Sequence, residues 1–254
     1  MRGPGELQVT MLDVGQGDAI LVTTPGGTRI LVDGGPSGIQ LAREVGAVLP
    51  HWKRTIDVVM LSHPQQDHVA GLVELARRYG LGEIIDTGTR NSTSTFALFE
   101  AEAPARTTAT RGARFEWDGV TFEVLWPPGE AVAGLDPDRL NDASMVLRIR
   151  YQDTTILLTG DIGSAAQRAL MAIEDVRADV HKVAHHGSAT NNAAFIDGVG
   201  EAVALVSVGK GNRYGHPDEG VIARLSDAKV YRTDVHGRVT VTSDGERLRV
   251  STQR

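Results

Sequence analysis

Apolar and polar residues alternate in short blocks along this chain, separated by glycine-rich turns. Residues 7–13, 19–23 and 28–32 read as strands joined across Gly15-Gln16-Gly17-Asp18 and Pro25-Gly26-Gly27. Tight glycine turns of this kind favour an antiparallel start. The spacing of Leu41, Val45, Val48 and Leu49 predicts a helix over 39–49, with Ser37 as its cap. Residues 56–62 form an apolar run, β-branched in part, of the kind buried on both faces of a sheet. A helix is expected over 70–79, with Leu72, Leu75 and Ala76 inward. A short strand over 83–86 follows, then a Ser/Thr-rich loop and a helix within 91–101.

The second half repeats this style. Residues 114–117 and 121–125 read as a hairpin across Asp118-Gly119, and 127–137 as a long loop of the kind that is often functional. Strands are expected over 145–150, 154–158, 179–184, 202–208, 230–231, 238–242 and 247–251, with helices over 164–173 and 217–225. There is no linker or low-complexity run. The pattern predicts one domain over 1–254, built of two packed mixed β-sheets with helices on the outer faces.

Several apolar strands lead into residues that bind metals or move protons. Pro64 ends the 56–62 strand, so His63, Asp67 and His68 are expected on the loop at its C-terminal end, the edge where open α/β sheets bind ligands. Imidazole and carboxylate are the usual ligands of a catalytic zinc or manganese ion. The 154–158 strand leads to Asp161, the 179–184 strand to His185 and His186, and the 202–208 strand to a Gly-rich loop containing His216. Asp161 also suits an N-cap, and a carboxylate there could bridge two ions. Asp13 and Asp33 read as turn residues bonding nearby backbone, while Asp18 stands evenly between turn and site.

Composition narrows the chemistry. The 254 residues carry a net charge of −6, which argues against a broad basic surface gripping nucleic acid by phosphate neutralisation alone. There is no cysteine, so any metal is held by nitrogen and oxygen. No signal peptide and no bilayer-length apolar run are present, and the expectation is a soluble chain. Its start could be natural or the edge of an excised domain.

Asp13-Val14-Gly15-Gln16-Gly17-Asp18, Ser62-His63-Pro64 with Asp67-His68, Leu158-Thr159-Gly160-Asp161, the run from His181 to Ser188 and Tyr214-Gly215-His216-Pro217 occur in this order. Together they resemble the metallo-β-lactamase-like domain of ComEC-type DNA-uptake competence proteins, from about Leu7 to Ser251. The resemblance implies an αββα sandwich. It implies one metal site from Asp67, His68, Asp161 and His185, and a second drawing on His63 and Asp161. It places Lys182, His186, Ser188 and His216 on the substrate side, with His216 or Lys182 stabilising phosphate charge or protonating a leaving group. Asp67, Lys182 and His216 are the catalytic candidates; His186, Ser188 and Lys210 are the substrate-binding ones. Two positions depart from the family pattern. Gln65 stands where competence proteins often carry Asp, and no His stands near Asn141-Asp142. The second site is therefore expected to be weak, filled only with substrate, or empty. Manganese or magnesium would suit it better than zinc.

The leading functional expectation is a metal-dependent nuclease that degrades the DNA strand not imported during transformation. It would be attached to or docked on a membrane DNA-uptake channel, at the extracytoplasmic face of the cytoplasmic membrane, or else be cytoplasmic. Arg90, Lys182, Lys210 and Arg213 are candidates for a basic lip. The alternatives are a hydrolase of small phosphodiesters or esters, and a catalytically weak DNA-binding module of the channel.

Overall fold

The structure is a computed structural model that describes residues 5–103, 106–132 and 137–254. Its first half contains β1 (Leu7–Met11), β2 (Ile20–Thr23), β3 (Arg29–Val32), α1 (Gly38–Val48), β4 (Thr55–Leu61), α2 (Gln66–Arg78), β5 (Gly80–Asp86), α3 (Ser94–Glu102) and β6 (Arg106–Thr108). The second half begins with β7 (Arg114–Trp117), β8 (Val120–Trp126), α4 (Gly129–Val132), a 3-10 stretch (Pro137–Ala143), β9 (Val146–Tyr151), β10 (Thr154–Leu158) and α5 (Ser164–Met171). It continues through β11 (Val180–Lys182), a tight turn (Ala184–Gly187), α6 (Ala193–Val199), β12 (Val203–Val206), α7 (Glu219–Arg224), β13 (Lys229–Arg232), α8 (Thr233–His236), β14 (Val239–Ser243) and β15 (Leu248–Thr252).

The strands form two mixed sheets, ordered β15-β14-β1-β2-β3-β4-β5-β6 and β13-β12-β11-β10-β9-β8-β7. Each sheet is antiparallel on one side and parallel on the other. The change comes at β3 in the first sheet and at β10 in the second. Asp33 follows β3 and Asp161 lies three residues beyond β10, so two carboxylates hold like places in the two sheets.

Alternation along β4 explains its continuous apolar run. Val58 and Met60 join the layer between the sheets, alongside Val9, Phe122, Leu147 and Ile156. Val59 and Leu61 face outward and pack with Leu41, Val45, Leu72 and Phe96 of α1, α2 and α3. On the second sheet, Leu157 packs outward with Leu170 of α5 and Phe195 of α6. The result is the expected αββα sandwich. Truncating one of these fully buried side chains to Ala costs about 2–5 kcal/mol.

The α2 helix differs from its expected start. It begins at Gln66 rather than near residue 70, so Asp67 and His68 lie in its first turn. The strand ends at Leu61, and after Ser62 to Gln65 the helix follows, with its positive N-terminal end beside the acidic Asp67. The short elements β6, α6 and α8 have no expected counterpart. In the 127–137 stretch, residues 129–132 are helical, and 133–136 lie outside the described residues.

Candidate metal centre

The two sheets meet at their C-terminal strand ends. Ser62 carbonyl accepts from the Met145 backbone N–H at 2.8 Å, tying the end of β4 to the start of β9. Gly160 sits at a positive φ of 50°, and a Cβ there would lie 2.7 Å from Ser144 Cβ. Only glycine lets the segment after β10 approach this closely, and Asp161 is thereby carried to α2.

Asp67, His68, Asp161 and His186 each offer a ligand atom, all within 4.8 Å of one another. His68 Nε2 lies 3.2 Å from Asp161 Oδ2. His186 Nε2 lies 3.3 Å from Asp67 Oδ2 and 3.3 Å from Asp161 Oδ2. Asp33 accepts from His68 Nδ1 at 2.8 Å, and from the backbone N–H and hydroxyl of Ser62 at 2.7 Å each. The Ser207 carbonyl is 2.9 Å from His186 Nδ1. Each imidazole thus has an anchor on Nδ1 and turns Nε2 to the centre, the arrangement that orients metal-binding histidines.

Burial would push both rings toward neutrality. For His68, the nearby carboxylates of Asp161, Asp67 and Asp33 outweigh burial and raise its pKa well above the usual imidazole range. For His186, Asp161 and Asp18 do the same. Burial would raise Asp161, but His186, His68 and Lys182 hold it well below the carboxylate range. These groups therefore balance one another with protons when no metal is bound.

The residues fit a divalent cation. His63 is buried, and its Nε2 has no hydrogen-bond partner, while its Nδ1 lies 3.0 Å from Ser62 Oγ and 3.1 Å from Ser144 Oγ. Burial and the neighbouring positive His68 push His63 down to about 3, so it presents a neutral lone pair. Asn141 Oδ1 is likewise buried without a partner, and Asp18 Oδ1 is buried with only the His186 ring near it, at 3.4 Å from Nδ1. Orphaned nitrogen and oxygen acceptors around an acidic cage are what a hard or borderline cation satisfies.

His186, not His185, joins Asp67, His68 and Asp161. Residues 185 and 186 both adopt left-handed backbone, with φ of 50° and 54°. This strained turn sets the two rings 6.1 Å apart with their planes at 67°, and such strain is characteristic of functional sites. His185 is half-buried on the cleft wall, its Nε2 3.4 Å from Asn141 Nδ2 and its Nδ1 3.2 Å from Thr190 Oγ1. Lys182, expected on the substrate side, is not among the residues that line the cleft. It is fully buried, ion-paired with Asp18, and donates to the Gly160 carbonyl at 3.0 Å. Its Nζ also lies 3.5 Å from Asp161 Oδ1. Ser188 is buried in its own turn, accepting from the Thr190 backbone N–H at 3.2 Å. Asp142 is turned away, accepting from the Gly163 backbone N–H at 3.1 Å.

An open cleft of about 530 Å3 leads to the centre, lined by Gln16, Gln65, Asp67, His185, His186, Tyr214 and His216 among others. Gln16 amide nitrogen lies 3.3 Å from His216 Nδ1. Burial, with His185 and His186 nearby, lowers His216 and keeps it neutral. No basic lip forms from the four expected cations. Arg90 is exposed but paired with Glu100, Lys182 is buried, and Lys210 and Arg213 are exposed on the loop beside the cleft.

Sequence reasoning passed over Asp33. Its signal was its place directly after an apolar strand, the same signal that marked Asp161.

Residues 12–204 match the metallo-β-lactamase superfamily, and the chain belongs to that superfamily. It is 31% identical over 253 residues to Recombination protein 2 of Haemophilus influenzae, covering 97% of this chain and 30% of that protein. It is 28% identical over 258 residues to ComE operon protein 3 of Bacillus subtilis, covering 92% of this chain and 33% of that protein. The chain thus spans about a third of the length of these curated relatives. Among solved structures it resembles CmlA, a diiron β-hydroxylase from Streptomyces venezuelae. The TM-score is 0.59 at 13% identity, over 98% of this chain and 54% of that one, a likeness of fold alone.

Proposed function

We propose that this chain is a metal-dependent nuclease that cleaves DNA phosphodiester bonds during DNA uptake, degrading the strand that is not imported. The observation that carries this reading is the group Asp67, His68, Asp161 and His186, of which Asp67 and His186 line a cleft open to solvent while His68 and Asp161 lie buried behind them. His63 and Asp18 add acceptors beside it. Relatives named for competence and recombination support the DNA-uptake setting. In that setting the chain would dock on, or be joined to, the uptake channel; among the described residues no helix is long and apolar enough to cross a membrane.

When bound, a divalent cation in this cage polarises a phosphoryl oxygen and acidifies nearby water. The mixed set of imidazoles and carboxylates suits manganese, with zinc and magnesium as the other candidates. The residues of the chain do the rest. Asp67 lies at the boundary between cage and cleft, where it both holds the ion and orients the attacking group. His216 is a neutral imidazole on the cleft wall, with Gln16 at its Nδ1, and its other ring nitrogen carries the hydrogen and can donate a hydrogen bond to a phosphate or leaving oxygen. Lys182 acts as a positioning residue that holds Asp18 and Asp161 in place.

The cleft volume of about 530 Å3 also suits a small phosphodiester, the second reading. One experiment separates the two. The purified chain is given Mn2+, Zn2+ or Mg2+ with single-stranded DNA, duplex DNA and a nitrophenyl phosphodiester, with Asp161→Ala as the control. Manganese-dependent DNA cleavage lost in Asp161→Ala supports the nuclease. Turnover of the small diester alone transfers the assignment to the second reading.

A further inference from the structure

Tyr214 is 73% exposed at the mouth of the cleft. A large aromatic ring with most of its surface in water contributes little to the stability of the fold. Yet its position is not loose. Asn212 Oδ1 accepts from the backbone N–H groups of Tyr214 at 3.1 Å and His216 at 3.2 Å. Asn212 Nδ2 donates to the His216 carbonyl at 2.7 Å. The side chain of one residue thus fixes the loop that presents the ring.

The ring is also aligned. Tyr214 stacks on His216 with centroids 5.8 Å apart and planes 27° apart. His216 lies 6.3 Å from His186 at 32°, and His186 lies 5.7 Å from His68 at 32°. A staircase of tilted rings climbs from the buried cage to solvent, and the outer face of Tyr214 is its open top step. Lys210 and Arg213 place positive charge on the same loop. An open aromatic face beside cations is the combination that binds single-stranded nucleic acid, because every base has a π-face and every linkage a phosphate.

We propose that the outer face of Tyr214 is a stacking platform for an unpaired nucleobase next to the scissile phosphate, so that the preferred substrate segment is single-stranded. This rests on the nuclease reading and deepens it. Bases inside a duplex have both faces covered by their neighbours, so only an unpaired base can use the platform. Lys210 and Arg213 would take flanking phosphates without regard to sequence.

The test uses the full chain and fluorescein-labelled oligonucleotides with nuclease-resistant phosphorothioate linkages, read by fluorescence anisotropy. One set carries a single abasic site stepped along the strand. The wild type is expected to lose roughly 5- to 100-fold in affinity when the abasic site reaches one particular position. Tyr214→Ala is expected to show that deficit with the intact strand and to be indifferent to the abasic site, while Tyr214→Trp restores discrimination. The platform is overturned if Tyr214→Ala binds the intact strand as the wild type does, or if the abasic series is flat in the wild type. Manganese-dependent cleavage of an ordinary oligonucleotide by the wild type is measured separately. Cleavage with a flat abasic series removes the platform alone; a positional abasic effect without cleavage removes the nuclease reading alone.

Discussion

His68 joins the two sheets through its two nitrogens: Asp33 accepts from Nδ1 at 2.8 Å, and Asp161 Oδ2 stands 3.2 Å from Nε2. Asp33 comes from the first sheet and Asp161 from the second, with the imidazole between them. The Asp33 carboxylate fixes the ring's orientation and leaves Nε2 for a cation. Asp33→Asn is expected to weaken metal binding by roughly 10- to 100-fold, as loss of such a supporting carboxylate typically does. Competition against a chelating dye measures this, and an unchanged affinity would show that Asp33 only braces Ser62.

The two adjacent histidines are expected to behave differently. His186→Ala should lose at least tenfold in metal affinity, because Nε2 of that ring faces both Asp67 and Asp161. His185→Ala should keep most of its affinity, since that ring touches Asn141 and Thr190 instead. Titration of each variant with Mn2+ decides between them, and the reverse order would put His185 in the cage.

Lys182 neutralises two buried carboxylates. Lys182→Met leaves Asp18 and Asp161 without their cation, and breaking a buried pair in this way costs about 3–5 kcal/mol. Added Mn2+ should recover part of the lost melting temperature by compensating the same charge. Calorimetry with EDTA and with Mn2+ gives both numbers; a variant as stable as the wild type would mean that Lys182 is dispensable to the cage.

Acidity should affect the metal-free and metal-loaded protein in opposite ways. His68 and His186 are raised above their ordinary 6.5, so their contribution is present below that pH and is lost as pH climbs through the raised values. Asp18 and Asp161 are lowered below 3.8, so theirs is present above that pH and is lost as pH drops through the lowered values. In EDTA the melting temperature should decline as pH climbs above about 6.5 toward pH 9, and it should also fall as pH drops below about 6.5, because His63, lowered to about 3, must stay neutral in the fold. With Mn2+ the alkaline decline should vanish, because the ion replaces the protons. A melting temperature that rises toward pH 9 in EDTA would contradict this.

Gln65 precedes the first residue of α2, makes no side-chain cap and lines the cleft. Gln65→Asp adds a carboxylate next to Asp67 and is expected to raise the number of ions per chain, counted by elemental analysis. An unchanged count would show that no second ion binds near position 65.

Much of this was legible in the sequence, because the strands announce themselves by periodicity. Val58, Val59, Met60 and Leu61 are apolar on both faces and sit between two packed layers, as such a run must. Asp161 was legible because an apolar strand points to it. The choice between His185 and His186 was not, because it turns on two left-handed residues that no spacing encodes. Lys182 misled for a related reason. A lysine beside two histidines suggests a phosphate ligand, but β11 points it toward Asp18 of the other sheet and Asp161 of its own. Asp33 looked like a turn residue because its partner His68 lies 35 positions further along the chain.

The repeated turn from antiparallel to parallel, at β3 and again at β10, has a consequence for how the chain comes into being. Asp33, His63, Asp67 and His68 belong to one half, and Asp161 and His186 to the other. A nascent polypeptide that has emerged only as far as Asp86 carries half a cage and no hydrolytic power. An ion held there would act as a clasp, closing only once the strands that carry Asp161 and His186 have docked.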